Sequence, residues 1–133
     1  MTQPSDLEGY LEGLARGELC GQRCHGCGEH QWPPRPACAR CRGFDLEWVR
    51  LPAKATLHTW TVVHRTKLPG FEEKVPYAVG VLEYDALRVR VVGLLDADPD
   101  ALEVGDLFTW SVNPSHDGSP QPVWRPATAG VAA

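Results

Sequence analysis

The residues best suited to chemistry lie in one stretch, Cys24-His25-Gly26-Cys27 to Cys38-Ala39-Arg40-Cys41, where two C-x-x-C pairs stand ten residues apart. A thiolate pair with two intervening residues reaches one metal ion from a tight turn. A second pair brought alongside completes a tetrahedron of four sulfurs, the closed geometry of structural zinc. Gly26 and Gly28 flank Cys27, and Gly43 follows Cys41 by two. Such positions let backbone N–H groups turn toward sulfur. A lone C-x-x-C reads equally as a redox pair, but two at this spacing predict a zinc ribbon on Cys24, Cys27, Cys38 and Cys41. An iron–sulfur cluster takes the same four ligands, and it is the spacing that favours zinc. Four thiolates leave no open position for water or substrate, so the zinc is expected to be structural and function to reside elsewhere. A disulfide framework would suit a secreted chain, but Met1-Thr2-Gln3-Pro4-Ser5-Asp6 has neither a basic start nor an apolar run. Cys20 stands outside the ligand spacing and reads as a small buried residue.

The chain has 133 residues, one domain or a small module plus a larger one. No apolar run approaches the roughly 20 residues of a membrane span, and the cytoplasm is the expected compartment. The formal net charge is −4 with cysteines counted neutral, and four thiolates around one Zn²⁺ take it to −6. Such a chain does not attract a phosphate backbone by its overall field. The ribbon differs locally. Between Cys20 and Gly43, Arg23, Arg35, Arg40 and Arg42 face Glu29 alone, an excess of three positive charges that the metal centre lowers to one. The plain role of these arginines is to offset the anionic zinc. The sharper role is a patch for a phosphorylated ligand or an acidic partner.

The elements that must position the ribbon come next. Ser5-Asp6-Leu7-Glu8 has the form of a capping box. Leu7, Tyr10, Leu11 and Leu14 recur at helical spacing, and Gly17 is placed to end the helix. Gly9 and Gly13 each cost about 1 kcal/mol against alanine, so this short helix needs a surface to dock on, in its own domain or on a partner. Trp32-Pro33-Pro34-Arg35-Pro36 is a stiff extended segment between the two cysteine pairs. Strands are predicted over 55–64, 77–84 and 87–95, with Asp85-Ala86 linking the last two. A helical turn is expected at Asp98-Pro99-Asp100. A fourth strand places Phe108, Trp110 and Val112 on one face, and a short fifth runs over Val123-Trp124-Arg125. The fold class is therefore mainly β, with an N-terminal helix (1–19), a rubredoxin-like zinc ribbon (20–47), a five-stranded OB-fold barrel (48–126) and a disordered tail (127–133). The loop Arg65 to Pro76 presents Phe71, for packing or for binding.

These residues together resemble a known family. Gly17-Glu18-Leu19 leads to Arg23-Cys24-x-x-Cys27-Gly28, then Pro33-Pro34-Arg35 and Cys38-x-x-Cys41. A strand with Thr59, Thr61 and Val62-Val63, the Pro69-Gly70-Phe71 loop, Pro76-Tyr77-Ala78-Val79 and a late Gly105-Asp106 turn follow. The pattern is similar to that of the zinc-ribbon plus OB-fold proteins of acyl-CoA metabolism, and it runs to about Pro126. The family often has glycines before the first barrel strand, where this chain has Pro52-Ala53-Lys54-Ala55.

The resemblance implies a non-catalytic companion of a thiolase-superfamily enzyme, a 3-ketoacyl-CoA thiolase or a retro-aldolase that shortens steroid side chains. It also admits a companion of an acyl-CoA hydratase. It implies a hetero-oligomer with acyl-CoA near the interface, and no nucleic acid or membrane as partner. Leu7, Tyr10, Leu11, Leu14, Trp32, Arg35, Arg40 and Phe71 are the candidate partner- or ligand-binding residues. Two other readings compete. Ribbons and OB barrels both serve in single-stranded nucleic-acid binding, but the acidic balance and the absence of a basic, aromatic-laced stripe count against it. A self-sufficient enzyme would need a catalytic pattern, and no phosphate loop, dinucleotide fingerprint or Ser-His-Asp order is present. His58, His64 and Asp85 are not brought together by sequence.

Overall fold

The computed structural model describes the backbone of residues 5–115 and 117–127 and the side chains of 8–115 and 117–127. The Ser5 cap, the Leu7 side chain and the tail from Thr128 lie outside the described residues. Helix α1 spans Ser5–Ala15. Strands β1 (Cys20–Cys24), β2 (His30–Gln31) and β3 (Leu46–Arg50) form a small sheet in the order β2-β1-β3. Strands β4 (Lys54–Val63), β5 (Tyr77–Tyr84), β6 (Val89–Leu95), β7 (Leu107–Pro114) and β8 (Pro120–Pro126) close a barrel in the order β4-β5-β6-β8-β7. The β6–β8 pair is parallel and its other neighbours are antiparallel. The chain is thus mainly β, with the helix, ribbon and five-stranded OB-type barrel that the sequence predicts.

Alternation drives the barrel strands. Along β5, Ala78, Gly80, Leu82 and Tyr84 turn inward, and along β6 Val89 and Val91 do so against Arg90 and Val92 outside. Leu57, Leu82, Val91, Phe108 and the wholly buried Trp124 fill the centre. Gly80 and Gly93, opposite one another across β5 and β6, make room for neighbouring side chains. A Cβ on Gly93 would stand 2.4 Å from the Trp124 indole, and one on Gly80 2.8 Å from Leu95. The bulge lies on β4, between Leu57 and Thr59. The β5–β6 link is a 3-10 turn, Asp85–Leu87, closed by Arg88 in the left-handed region at φ 58, so β6 starts at Val89 rather than at Leu87.

Strand β3 crosses the expected 47/48 division. All five of its residues pair with β1, from Cys24↔Leu46 to Cys20↔Arg50, so the ribbon's sheet runs on to Arg50. The chain then enters the barrel through Leu51 and Pro52. The Leu51 N–H donates to the Leu19 carbonyl at 2.9 Å, and both side chains are buried. The Pro52 carbonyl accepts from Tyr84 Oη at 2.6 Å and from Trp110 Nε1 at 2.8 Å. The entry without glycines is therefore fixed by two aromatic donors from the barrel core.

Helix α1 docks on its own chain. It closes with paired bonds, Gly17 N–H to Leu14 O at 2.9 Å and Glu18 N–H to Gly13 O at 2.7 Å, with Gly17 at φ 84, the glycine-ended cap. Its internal glycines are contact points. A Cβ on Gly9 would stand 2.1 Å from the Trp48 ring, and one on Gly13 2.8 Å from Cys20 Sγ. Gly9→Ala separates two effects by sign. Alanine favours an undocked helix by about 1 kcal/mol, whereas a collision with Trp48 costs about 1–3 kcal/mol. Thermal melting of the zinc-loaded chain should show a lower Tm for Gly9→Ala; a higher Tm would mean the helix does not pack as described.

Candidate metal centre and the ribbon–barrel cleft

The first knuckle hangs from the end of β1. The Gly28 N–H donates to the Cys24 carbonyl at 2.8 Å, and the Cys24 N–H to Glu29 O at 2.9 Å. The second knuckle is a turn closed by Arg42 N–H to Cys38 O at 2.9 Å and Cys38 N–H to Gly43 O at 2.8 Å. The four sulfurs lie within 4.8 Å of one another, with Cys24 and Cys38 buried and Cys27 and Cys41 exposed. Cys24 Sγ is 3.5 Å from Cys41 Sγ, and Cys27 Sγ is 3.6 Å from Cys38 Sγ. A tetrahedral zinc with bonds of about 2.3 Å sets its sulfurs about 3.8 Å apart, so the four cysteines fit one such ion.

The donor chemistry agrees. The N–H groups of Cys41 and Arg40 each approach Cys38 Sγ to 3.4 Å, and the Gly43 N–H approaches Cys41 Sγ to 3.4 Å. The bonds from Cys41 and Arg40 draw the Cys38 thiol down to about 6. Cys27 is also favoured as a thiolate by the Glu29 N–H, yet burial and the neighbouring thiols push it up to about 11. A bound Zn²⁺ would supply the charge that lets all four ionise, and its role there is to hold the two knuckles together. Cys20 is buried away from this group, as its spacing predicts.

Two polar networks brace the ribbon. His25 sits 3.2 Å from Glu47 Oε2 and 3.5 Å from Asp45, and Arg23 reaches the same Glu47 oxygen at 3.2 Å. Hydrogen bonds from His25 and Arg23 hold the Glu47 carboxyl below its ordinary value. The second network centres on Gln22, 3 % exposed. Its amide nitrogen donates to Arg35 O at 2.9 Å, and its oxygen accepts from Gln31 at 2.7 Å and from the Arg35 N–H at 2.9 Å. Gln31 in turn holds Ala37 O and the Ala39 N–H. The Trp32–Pro36 segment is thereby tied to β1. Its stiffness was legible from three prolines; a glutamine hub was not, because an isolated Gln carries no pattern.

The candidate binding residues divide. Tyr10 and Trp32 meet edge to face at 6.5 Å and pack on the core. Leu14 is 5 % exposed. The helical stripe is therefore not free as a whole. Leu14 belongs to the chain's own interior and Tyr10 packs partly buried against the core, while Leu11 is half exposed. Arg35 lines a cleft of about 500 Å³ between ribbon and barrel, with His30, Trp32, Glu83, Arg88 and Arg90. Arg40 lines an adjoining cleft of about 330 Å³ with Glu29 and Arg88. Arg40 Nε lies 3.4 Å from Glu29, and Arg90 Nε 3.0 Å from Glu83. Phe71 is elsewhere. It packs on Tyr77 at 5.4 Å with the Lys74 ammonium 5.1 Å above its ring, at the far end of β5 from the cleft, about 23 Å along the strand. His64 and Asp85 likewise fall at opposite ends of β5. One exposed aromatic belongs to no motif in the sequence, Phe44 just beyond the second knuckle.

Metal analysis of the purified chain should give about one zinc per chain, and Cys41→Ser should lose both zinc and ribbon stability while Cys20→Ser keeps the metal. Iron with a visible chromophore would overturn this assignment.

Comparison with known proteins agrees with the two-part architecture. Residues 11–47 match the rubredoxin-like zinc ribbon domain of ChsH2, and residues 48–113 match the ChsH2 C-terminal OB-fold domain. A DUF35 domain-containing scaffold protein of Methanothermobacter thermautotrophicus is 32% identical over 92 residues, 68% of either chain. Among solved structures, a chain of the Ltp2-ChsH2(DUF35) aldolase superposes with a TM-score of 0.82 at 28% identity, over 96% of this chain and 99% of that one. A protein of unknown function from the DUF35 family of Sulfolobus solfataricus shares the fold, with a TM-score of 0.63 at 16% identity over 95% and 87% of the two chains. With its four-cysteine ribbon leading into a closed barrel, the chain belongs to the DUF35 family of ChsH2-like zinc-ribbon and OB-fold proteins.

Proposed function

We propose that this chain is a non-catalytic subunit that binds a thiolase-superfamily enzyme, a 3-ketoacyl-CoA thiolase or a retro-aldolase, and supports that enzyme's acyl-CoA site. The observation that carries the reading is the likeness over nearly the whole chain to a component of the Ltp2-ChsH2(DUF35) aldolase. The metal site is consistent with an accessory role, because four thiolates close the coordination sphere.

The ribbon–barrel cleft supports the second half of the reading. Arg35, Arg40, Arg88 and Arg90 line it and the pocket beside it, against Glu29, Glu83 and Asp85. In a complex these arginines would meet the phosphates of a CoA chain or acidic residues of the partner. The partner would lie along the ribbon and the outer face of α1, where Leu11 is half exposed. Phe71, at the opposite end of the barrel, offers a separate contact near the acyl-CoA entrance.

Co-expression with the thiolase-like enzyme encoded nearest to this chain in its own genome, followed by size-exclusion chromatography, tests the pairing. The two should co-elute, and the purified chain alone should turn over no acyl-CoA. Leu11→Asp should weaken co-elution and lower the partner's activity with zinc retained. Leu14→Asp is not a docking test, because that side chain is buried in this chain's own interior. Separate elution of the wild-type proteins, or turnover by the chain alone, would sink the reading.

A further inference from the structure

Phe44 is 81 % exposed, the most of any large apolar side chain among the described residues. Leaving a phenylalanine in water forgoes about 1.5–3 kcal/mol of burial. The ribbon does not need the ring, since the bonds that shape this turn are made by backbone groups. Those bonds hold Phe44 from both sides. The Cys38 N–H donates to Gly43 O at 2.8 Å, the Leu46 N–H to Phe44 O at 3.0 Å, and the His25 N–H to Asp45 O at 2.9 Å. The ring therefore stands on a backbone already ordered by the fold, so seating it elsewhere incurs little further ordering cost.

Its neighbours add a charge preference. Arg42 lies in the left-handed region at φ 65, a conformation that costs a residue other than glycine about 1–2 kcal/mol. Arg40 is paired with Glu29 and Asp45 faces His25, but the Arg42 guanidinium has no hydrogen bond or ion pair among the described residues. Aromatic and arginine residues are both types enriched at protein interfaces, with the apolar groups at the centre and the charged ones toward the rim.

We propose that the second zinc knuckle is a docking tip, with Phe44 seated in an apolar pocket of the partner enzyme and Arg42 against a carboxylate at that pocket's rim. This rests on the reading above that the chain binds a thiolase-like enzyme, and it names the part of the ribbon that makes the contact.

Titration of the zinc-loaded chain against that enzyme tests the assignment. Phe44→Ala should weaken binding by about 30-fold or more, the loss expected of an interface anchor. Arg42→Glu should also weaken it and should reduce its dependence on salt. Val104→Ala, at an exposed barrel turn, should bind as the wild type does. Zinc content should be unchanged in all three, which separates lost contact from a collapsed ribbon. If the wild type binds and Phe44→Ala binds equally well, the tip is not the contact although the pairing stands. If the wild type does not bind at all, the pairing and the tip fall together. If the wild type alone self-associates and Phe44→Ala abolishes that, the occupant is a second copy and the assignment to the enzyme is wrong.

Discussion

Four sulfurs within 4.8 Å of one another cannot all carry charge unless a cation stands among them. Backbone N–H groups favour the thiolates of Cys27, Cys38 and Cys41, but only Cys38 is drawn below its ordinary value, and each further ionisation meets the charge already present. A divalent metal removes that conflict and makes the knuckles a single unit. The ribbon has little else to hold it. Strand β2 is two residues long, and a sheet of that size is marginal without packing or metal. Everything that leans on the ribbon inherits this dependence: α1 against Trp48 and Cys20, the proline segment on Gln22, and the cleft that its arginines share with the barrel.

The ribbon in turn takes its orientation from the barrel. The Pro52 carbonyl has two lone pairs, and both are engaged, by Tyr84 and Trp110 from different barrel strands. Burial pushes the Tyr84 hydroxyl up from its ordinary value, so it stays a neutral donor at that carbonyl. The Arg50 guanidinium lies 5.3 Å over the Trp110 ring, adding a contact from the last residue of β3. The two modules are thus joined at a short rigid neck rather than by a linker, and the cleft between them has defined walls.

The cysteine ligands and the barrel strands were legible because their signals are local. Ligand spacing and inward–outward alternation are written into consecutive residues, as in Val89-Arg90-Val91. What the sequence left open depended on what each residue meets in space. Periodicity put Leu11 and Leu14 on one stripe, yet only packing decides that Leu14 goes inward while Leu11 stays half exposed. Gly9 and Gly13 read as defects in a helix until Trp48 and Cys20 are seen against them. Strand β3 runs across the 47/48 boundary, and no local pattern shows it, because its pairing partner, β1, lies more than twenty residues earlier. Gln22 and Phe44 carried no motif, and only burial of the one and exposure of the other single them out.

The charged groups around the cleft bear on how it can be used. Arg40 and Glu29 have side chains 61% and 32% exposed, and Arg88 reaches the same Glu29 only at 4.0 Å. Exposed pairs of this kind are worth about 0–1 kcal/mol each, so they do little to hold the ribbon against the barrel; the Pro52 neck and the buried leucines do that. A group held so weakly exchanges partners at small cost. An incoming phosphate or carboxylate need only match Glu29 to take Arg40 or Arg88, and it leaves the neck untouched. Placing the rigid joint in the apolar interior and the arginines at its wet rim allows the surface to be remade on binding without remaking the fold.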